Sequence, residues 1–408
     1  MRVNYISLLL FGIIFFQLNG LYLPDGNQFP VQFQDMAIIL EILFWIVIYT
    51  KKDDRNEAAY SKSTKWLFIM PVLLGCTSAL MGHIRYLQPF FMGLRAQRAW
   101  ISAMLMYFPV SRAIRTGRYS IEKLLGLIDK INVIYFLLIL AQYIIGNQYI
   151  FLHAGVDQRY GSIRLYVSTS FMLISCGLHL WKLLKSERLK FVDVFFVVAT
   201  LFTYFFVTKS RMGMVALIGA VTIVILRQKF TEKKLIILSI MVIAACVFLS
   251  TDAGSEILNL AFGAEITANA NDTSLIREIG RTFYISEVMS SLKTFVFGCG
   301  YINSDWAPTV RATRMSENIF VVDNGIFGIV FMYGMLFLCW AITLYYRYIK
   351  KALKYKNDFG LFVFLVGILG CYSLYPECYR ACMAFPLTCV IFEEMCNRSE
   401  SEEFLTGM

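Results

Sequence analysis

The feature that most constrains this chain is a series of long apolar runs separated by short polar loops. Each run has about 17 to 25 residues, the length that an α-helix needs to cross the hydrocarbon core of a bilayer. Over the whole chain, 58% of the residues are hydrophobic and only 16% are charged. Strands of a membrane barrel would alternate polar and apolar residues, and runs such as 195–207 do not alternate. The sequence therefore predicts an all-α polytopic integral membrane protein.

About twelve transmembrane helices are predicted, in a single membrane domain that covers residues 1–408. The predicted spans lie near residues 4–23, 32–50, 66–82, 96–112, 127–147, 165–181, 191–208, 212–226, 235–250, 320–345, 359–375 and 380–395. The fourth span is crowded at its ends by Arg95, Arg98 and Arg112. One large loop, residues 251–317, is inserted between two of the spans.

The charges of the loops predict how the chain crosses the membrane. Loops rich in Lys and Arg face the cytoplasm, and in this chain they alternate with loops that lack this enrichment; they are 51–65, 112–123, 182–190, 227–234 and 346–356. Both termini are then cytoplasmic, and the outer loops are those near 24–31, 83–95, 148–164, 209–211, 251–317 and 376–380. The net charge of +10 follows largely from this topology and is not a signal for nucleic acid.

The predicted outer side is rich in arginine rather than lysine. It carries eleven Arg and two Lys, whereas the remaining basic residues are nine Arg and sixteen Lys. Arginine binds phosphate or carboxylate through two parallel hydrogen bonds, which lysine cannot do. An anionic ligand outside the membrane is therefore one interpretation. Pairing with acidic residues of other loops, or with lipid headgroups, is the alternative. The candidate ligand-binding arginines are Arg159, Arg164, Arg211, Arg277, Arg281, Arg311 and Arg314.

Within the large loop, residues 274–283 predict a helix. Ile276, Ile279 and Phe283 share one face, and Arg277 and Arg281, four residues apart, share another. Two cations so placed repel each other, and an anion held between them would reverse that effect. Neutralisation by neighbouring acidic side chains is the alternative.

The short connection at 208–213 places Arg211 at a membrane boundary. An arginine there is costly unless it reaches the headgroups or meets a partner, and a ligand diphosphate at this depth is one such partner. Asp323, at the start of the tenth span, is a candidate general base or arginine partner, with capping of the helix as the alternative. Glu287, Asp305 and Glu317 are other candidates for the base or partner. The chain contains no DxD sequence, P-loop or GxSxG sequence, and no metal site or cofactor is predicted.

Several motifs occur in an order that resembles the O-antigen polymerase and O-antigen ligase superfamily of bacterial envelopes. A Thr-x-Ser-Arg-x-Gly turn at 208–213 leads into a span, and an Arg-containing helix at 277–289 follows in the large loop. Phe-Gly-Cys-Gly at 297–300 comes next, and then Asp-Asn-Gly at 323–325 with two further glycines. The resemblance covers mainly residues 200–345, and ligases commonly carry His where this chain has Asp323.

The resemblance implies a glycosyltransferase fold of the membrane-embedded GT-C type. It implies an active site outside the bacterial inner membrane and an undecaprenyl diphosphate-linked oligosaccharide substrate, used without metal or nucleotide. It implies that Arg211 and Arg281, with Arg277 as the other choice, hold the diphosphate. A sugar ring in such a site could stack on Tyr301.

The expected activity is polymerisation of repeat units into surface polysaccharide, either O-antigen or capsule. The expected partners are membrane lipids and lipid-linked oligosaccharides, with a chain-length regulator and a flippase of the same lipopolysaccharide or capsule pathway. Transfer of a finished glycan to the lipid A core, by a ligase, is one alternative. A flippase without enzymatic activity is another, and it should line its path with charges inside the spans.

Overall fold

The structure of the protein is a computed structural model. It describes residues 5–18, 33–50, 62–146, 152, 155–159, 162–185, 190–228, 268–317, 319–370 and 382–406. Most of these residues are helical. Within a bilayer a helix satisfies all of its backbone hydrogen bonds internally, so long apolar runs adopt this conformation. The predicted mainly helical class is confirmed.

The first half of the chain forms ten α-helices and a hairpin. The helices are α1 (Tyr5–Leu18), α2 (Phe33–Thr50), α3 (Lys62–Tyr86), α4 (Phe90–Ala96), α5 (Arg98–Leu105), α6 (Tyr107–Arg115), α7 (Ile121–Ile145), α8 (Ser170–Lys185), α9 (Phe191–Phe202) and α10 (Arg211–Arg227). Helix α9 continues as a π-helix, Thr203–Thr208. The hairpin strands are β1 (Gly155–Arg159) and β2 (Ser162–Tyr166).

The described part of the second half contains three helices of the large loop and three helices that follow it. The loop helices are α11 (Ala268–Met289), α12 (Leu292–Phe297) and α13 (Ala307–Ala312), followed by two 3₁₀ turns, Met315–Glu317 and Val321–Asn324. The remaining helices are α14 (Ile326–Lys354), α15 (Asp358–Gly370) and α16 (Ala384–Thr406).

Among the residues that the structure describes, four helices are long and apolar enough to cross a membrane. They are Thr64–Tyr86, Ile121–Ile145, Phe191–Thr208 and Ile326–Lys354, and three shorter apolar helices accompany them. Each predicted span except the ninth overlaps a helix, and the ninth, 235–250, lies outside the described residues.

The fourth predicted span differs in detail from its prediction, because α4, α5 and α6 follow one another with single residues between them. At the first interruption, the buried Gln97 side chain donates to the Gly93 carbonyl at 3.0 Å. Its Oε1 accepts from the Tyr333 hydroxyl at 2.7 Å. Side-chain bonding to the carbonyl four residues earlier competes with the regular helical ladder.

The hairpin was not predicted. Its strands are antiparallel, with Gly155 opposite Tyr166 and Arg159 opposite Ser162. It falls in the segment that was expected to be an outer loop. Its residues are few and are not strongly alternating, so the sequence offered little basis for it.

Helix α14 is central to the core, because it packs against α3, α11, α12 and α15. Aromatic rings of Tyr333, Phe337 and Trp340 cluster around the fully buried Trp100 of α5. At Gly334 the helix is interrupted by a positive φ of 70°. Gly298 of the large loop, which also has a positive φ, packs directly against this interruption. The large loop therefore packs against the interruption of α14 at Gly334.

Candidate functional site

Helix α11 positions two of the predicted arginines. Its buried residues are Gly280, Tyr284 and Val288, and they lie at helical spacing on one side. The predicted helix is confirmed; Ile276 and Phe283 are half-buried, and Ile279 is exposed.

The arginines of α11 lie on its exposed side. Arg277 and Arg281 are both exposed. Within the described residues, neither arginine forms an ion pair with a carboxylate. Neutralisation by Glu278 is therefore absent in this conformation, and the side chain of Asp272, the other candidate for this role, lies outside the described residues. Two guanidinium groups one turn apart, with no such partner, form a ready site for an anion.

A close contact joins α11 to the end of the large loop. A methyl group on Gly280 would lie 2.9 Å from Nδ2 of Asn324 and 3.0 Å from its Oδ1, so the amide lies directly against the helix backbone. Asn324 is buried, and its Nδ2 donates to the Phe320 carbonyl at 2.8 Å. Because Arg281 and Asp323 are the chain neighbours of the two contacting residues, the contact brings the arginine pair and the candidate base to one region.

Asp323 itself is exposed and is not a helix cap. The residue that caps α14 is Gly325, and no side chain caps this helix. The Asp323 carboxylate makes no hydrogen bond or ion pair with the residues that the structure describes. The capping alternative is therefore not realised, and the carboxylate remains available to a ligand.

The other two loop arginines differ from each other. Arg311, in the last turn of α13, is exposed. Arg314 has a positive φ of 59° and donates from Nε to both carboxylate oxygens of Glu317, at 3.0 and 2.9 Å. This hydrogen bonding lowers the pKa of the Glu317 carboxyl. Arg314 is thus engaged with a neighbour, as the alternative of pairing with acidic residues requires.

Gln88, which follows α3, fixes the loop in place. It is fully buried, and its Nε2 donates to the Tyr301 carbonyl at 3.1 Å. Its Oε1 accepts from the Asn303 backbone at 3.0 Å and from the Thr309 hydroxyl at 3.3 Å. Arg85 and Glu287 form a further ion pair between α3 and α11. These contacts join residues more than 200 positions apart, which sequence patterns do not reveal.

Tyr301 belongs to this support and is 4% exposed. Its backbone N–H donates to the Ser78 carbonyl at 3.3 Å. It therefore offers no open face for a sugar ring in this conformation. Beside it, burial raises the pKa of the Cys299 thiol to about 12.

A second group of candidate residues surrounds the turn between α9 and α10. Lys209 has a left-handed φ of 47°, and the Ser210 hydroxyl caps α10 by accepting from the Gly213 N–H at 3.3 Å. Arg164 of β2 donates from Nε to the Thr208 carbonyl at 2.8 Å and lies 4.3 Å from the centre of the Tyr166 ring. The structure thus brings Arg164 to the Ser-Arg turn.

Two predictions in this group extend beyond what the structure describes. The side chains of Arg159 and Arg211 lie outside the described residues, although their backbones belong to β1 and α10. Among the described residues there is also no group of three His, Cys, Asp or Glu side chains suited to a metal ion.

The sequence missed one polar cluster altogether. His179 of α8 lies between Asp129 of α7 and Asp193 of α9. The only local signal was the helical spacing of polar Ser175 and His179 in an apolar helix.

The architecture and this site define a helical protein, with helices able to cross a bilayer and an arginine-bearing loop packed on the central helix α14. Comparison of the chain with protein-family models gives no match, and comparison with curated proteins gives none. The resemblance to O-antigen polymerases and ligases therefore stays a prediction that depends on its motifs.

Proposed function

We propose that this protein polymerises undecaprenyl diphosphate-linked oligosaccharide repeat units into a surface polysaccharide, on the outer face of the bacterial inner membrane. The observation that carries the proposal is the exposed pair Arg277 and Arg281, which has no carboxylate partner among the described residues. The contact between Gly280 and Asn324 brings this pair to the same region as Asp323. The proposal includes twelve spans, cytoplasmic termini and a GT-C-like arrangement.

The proposed reaction is transfer of a glycan from its diphosphate carrier. A hydroxyl of the acceptor sugar attacks the anomeric carbon of the donor, and the bond from that carbon to the diphosphate oxygen breaks. The Asp323 carboxylate takes the hydroxyl proton. Negative charge grows on the departing oxygen, and the guanidinium groups of Arg281 and Arg211 stabilise it. Arg277 and Arg311 contact the remaining phosphate oxygens.

The geometry supports this use of the arginines in one further way. The large loop is held by hydrogen bonds to the buried Gln88, and the Tyr284 hydroxyl of α11 donates to the Ile319 carbonyl at 3.0 Å, so α11 has a supported position. Preorganised donors stabilise developing charge better than mobile ones, because they do not reorganise during the reaction. Arg314 and Tyr301 have a lesser part in this scheme, since one is paired and the other buried.

Glycan analysis of a strain that lacks this protein tests the proposal. Single repeat units on the lipid acceptor are expected, because chain extension is lost while the other steps continue. Long chains that remain on undecaprenyl diphosphate would instead identify a ligase. Repeat units trapped on the cytoplasmic side would identify a flippase.

The flippase is kept as a second candidate because one carboxylate lies deep within a predicted span. Glu41 of α2 is 2% exposed, and its Oε1 accepts from Nε2 of Gln17 at 2.8 Å. Ionisable residues inside membrane helices often mark a transport path. If transport is the function, Glu41→Gln should trap repeat units inside; if polymerisation is the function, this variant should leave chain lengths unchanged or lower the amount of protein.

A further inference from the structure

A buried histidine joins three helices near their predicted cytoplasmic ends. Nδ1 of His179 lies 2.6 Å from Oδ1 of Asp193, and Nε2 lies 3.2 Å from Oδ2 of Asp129. The histidine side chain is 3% exposed, and the ring stacks on Phe196 with 4.4 Å between centres. Both ring nitrogens thus contact carboxylates in a poorly solvated place.

We propose that His179, Asp129 and Asp193 form a proton-binding site, in which His179 is held as an imidazolium between two carboxylates. An ionised carboxylate only accepts hydrogen bonds, and a neutral imidazole has one N–H and one bare nitrogen. A neutral ring would therefore turn a lone pair towards one of the carboxylates at hydrogen-bonding distance. One additional proton removes that conflict, and it leaves the cluster with one negative charge instead of two.

Hydrogen bonds extend the site deeper into the helices. The Ser175 hydroxyl donates to Oδ1 of Asp129 at 2.6 Å, and Nδ2 of Asn132 donates to the Ser175 oxygen at 2.7 Å and to the Phe171 carbonyl at 2.8 Å. Oδ1 of Asn132 is buried and has no hydrogen-bond partner. A buried acceptor normally has a donor, and this oxygen is the inner end of the chain of hydrogen bonds.

Access to the site is through Asp129. Its side chain is 21% exposed, whereas the side chains of His179 and Asp193 are 3% and 5% exposed. On the predicted topology, this exposed edge faces the cytoplasm. The bound proton therefore comes from the cytoplasmic side. Its uptake allows the ring on α8 to donate hydrogen bonds to the carboxylates of both α7 and α9.

The neighbouring helices contribute no other described charge to the ring. On α15, Phe359, Phe362 and Val363 lie against Gly177 of α8, and Asp358 accepts from Gln228 while lying near Arg227. On α16, Glu393 accepts from the hydroxyls of Tyr107 and Tyr348 and pairs with Arg115. The remaining charges on α7 and α8 close to the cluster are Lys130, Lys182 and Lys185; Lys185 lies over the Trp181 ring.

Nitrogen NMR of the full-length protein, with ¹⁵N-labelled histidine, in lipid bilayers tests the proposal directly. The chain has three histidines, so His179→Gln identifies the signals of His179 by difference. Both ring nitrogens of His179 should carry a proton, because each lies at hydrogen-bonding distance from a carboxylate oxygen. One protonated and one bare nitrogen would overturn the proposal.

Variants of the carboxylates give a second readout. Asp129→Asn and Asp193→Asn each replace a charged acceptor by an amide, and each should lower the ratio of imidazolium to neutral ring. Glu122→Gln removes an exposed carboxylate from the same helix, α7, and should leave the ratio unchanged. If one carboxylate variant does not fold, the other is sufficient, and an unchanged ratio in a folded variant contradicts the site.

Discussion

Substitution of Gly280 by alanine tests the contact that brings Arg281 and Asp323 to one region. In the interior of α11, Gly→Ala raises helix propensity by about 0.8–1.0 kcal/mol. The added methyl group would also lie 2.9 Å from Nδ2 of Asn324 and 3.0 Å from Cγ2 of Ile319. Overpacking of this kind costs about 1–3 kcal/mol. The net effect on the free energy of unfolding should therefore lie between about zero and a loss of 2 kcal/mol.

Gly126→Ala is the matched control for this substitution. Gly126 lies in the interior of α7, and a methyl group there would meet nothing within 4 Å. This variant should gain the helix-propensity term alone, so the two variants should differ by the overpacking cost of about 1–3 kcal/mol. The assay is the apparent melting temperature of each purified protein in the same detergent.

Activity should separate the two variants more strongly than stability does. Displacement of Asn324 moves Asp323 relative to Arg281, and an error of about 1 Å in a catalytic arrangement can cost about 10²-fold in rate. Gly280→Ala should therefore shorten the glycan chains, whereas Gly126→Ala should not. If Gly280→Ala melts as high as the control and makes full-length chains, the close contact or its importance is refuted.

Three further outcomes are expected. Gln88→Ala leaves buried partners such as the Tyr301 carbonyl without a hydrogen bond, and an unsatisfied buried group costs about 1–3 kcal/mol of stability. Limited proteolysis should therefore cut the large loop faster in the variant than in wild type, and equal rates would contradict the role of Gln88. Burial raises the pKa of the Cys299 thiol to about 12, so this thiol should resist labelling by maleimide at about pH 8 until the protein is denatured. Peptide-resolved mass spectrometry measures the labelling, and rapid labelling of the folded protein would contradict the burial of Cys299. Glu317→Gln should change the melting temperature little at any pH, because the Glu317–Arg314 pair is exposed. The pKa of Glu317 is lowered, so any stability that the pair contributes is present above the ordinary carboxyl pKa and is lost as the pH falls through the lowered value. A large loss of stability in the variant at neutral pH would refute this prediction.

The parts of the fold that could be predicted are those specified by local patterns. Apolar runs marked the positions of the long helices, and the spacing of Arg277 and Arg281 placed them on one face of a helix that the structure contains. The turn at 208–213 was also visible, since Ser210 and Gly213 are typical of a helix start. Each of these signals lies within a few residues of the feature that it predicts.

The parts that could not be predicted depend on residues far apart in the chain. Gln88 is an ordinary polar residue until the fold brings Tyr301 and Asn303 to its amide. His179 is likewise unremarkable until Asp129, which is 50 positions away, reaches its ring. The apolar residues Ile276, Ile279 and Phe283 did not show which side of α11 is covered, because the contact of Gly280 with Asn324 decides it.

The most direct test of the central claim is chain extension by the purified protein in proteoliposomes that contain undecaprenyl diphosphate-linked repeat units. Arg281→Lys keeps the positive charge but loses the two-pronged hydrogen bonding, and Arg398→Lys, at an arginine on α16 that pairs with Glu122, is the control. Loss of one fixed donor typically lowers the rate by about 10²–10³-fold. We predict such a loss for Arg281→Lys and wild-type extension for the control, with both proteins equally incorporated. Wild-type extension by Arg281→Lys would contradict the diphosphate-binding role of the arginine pair.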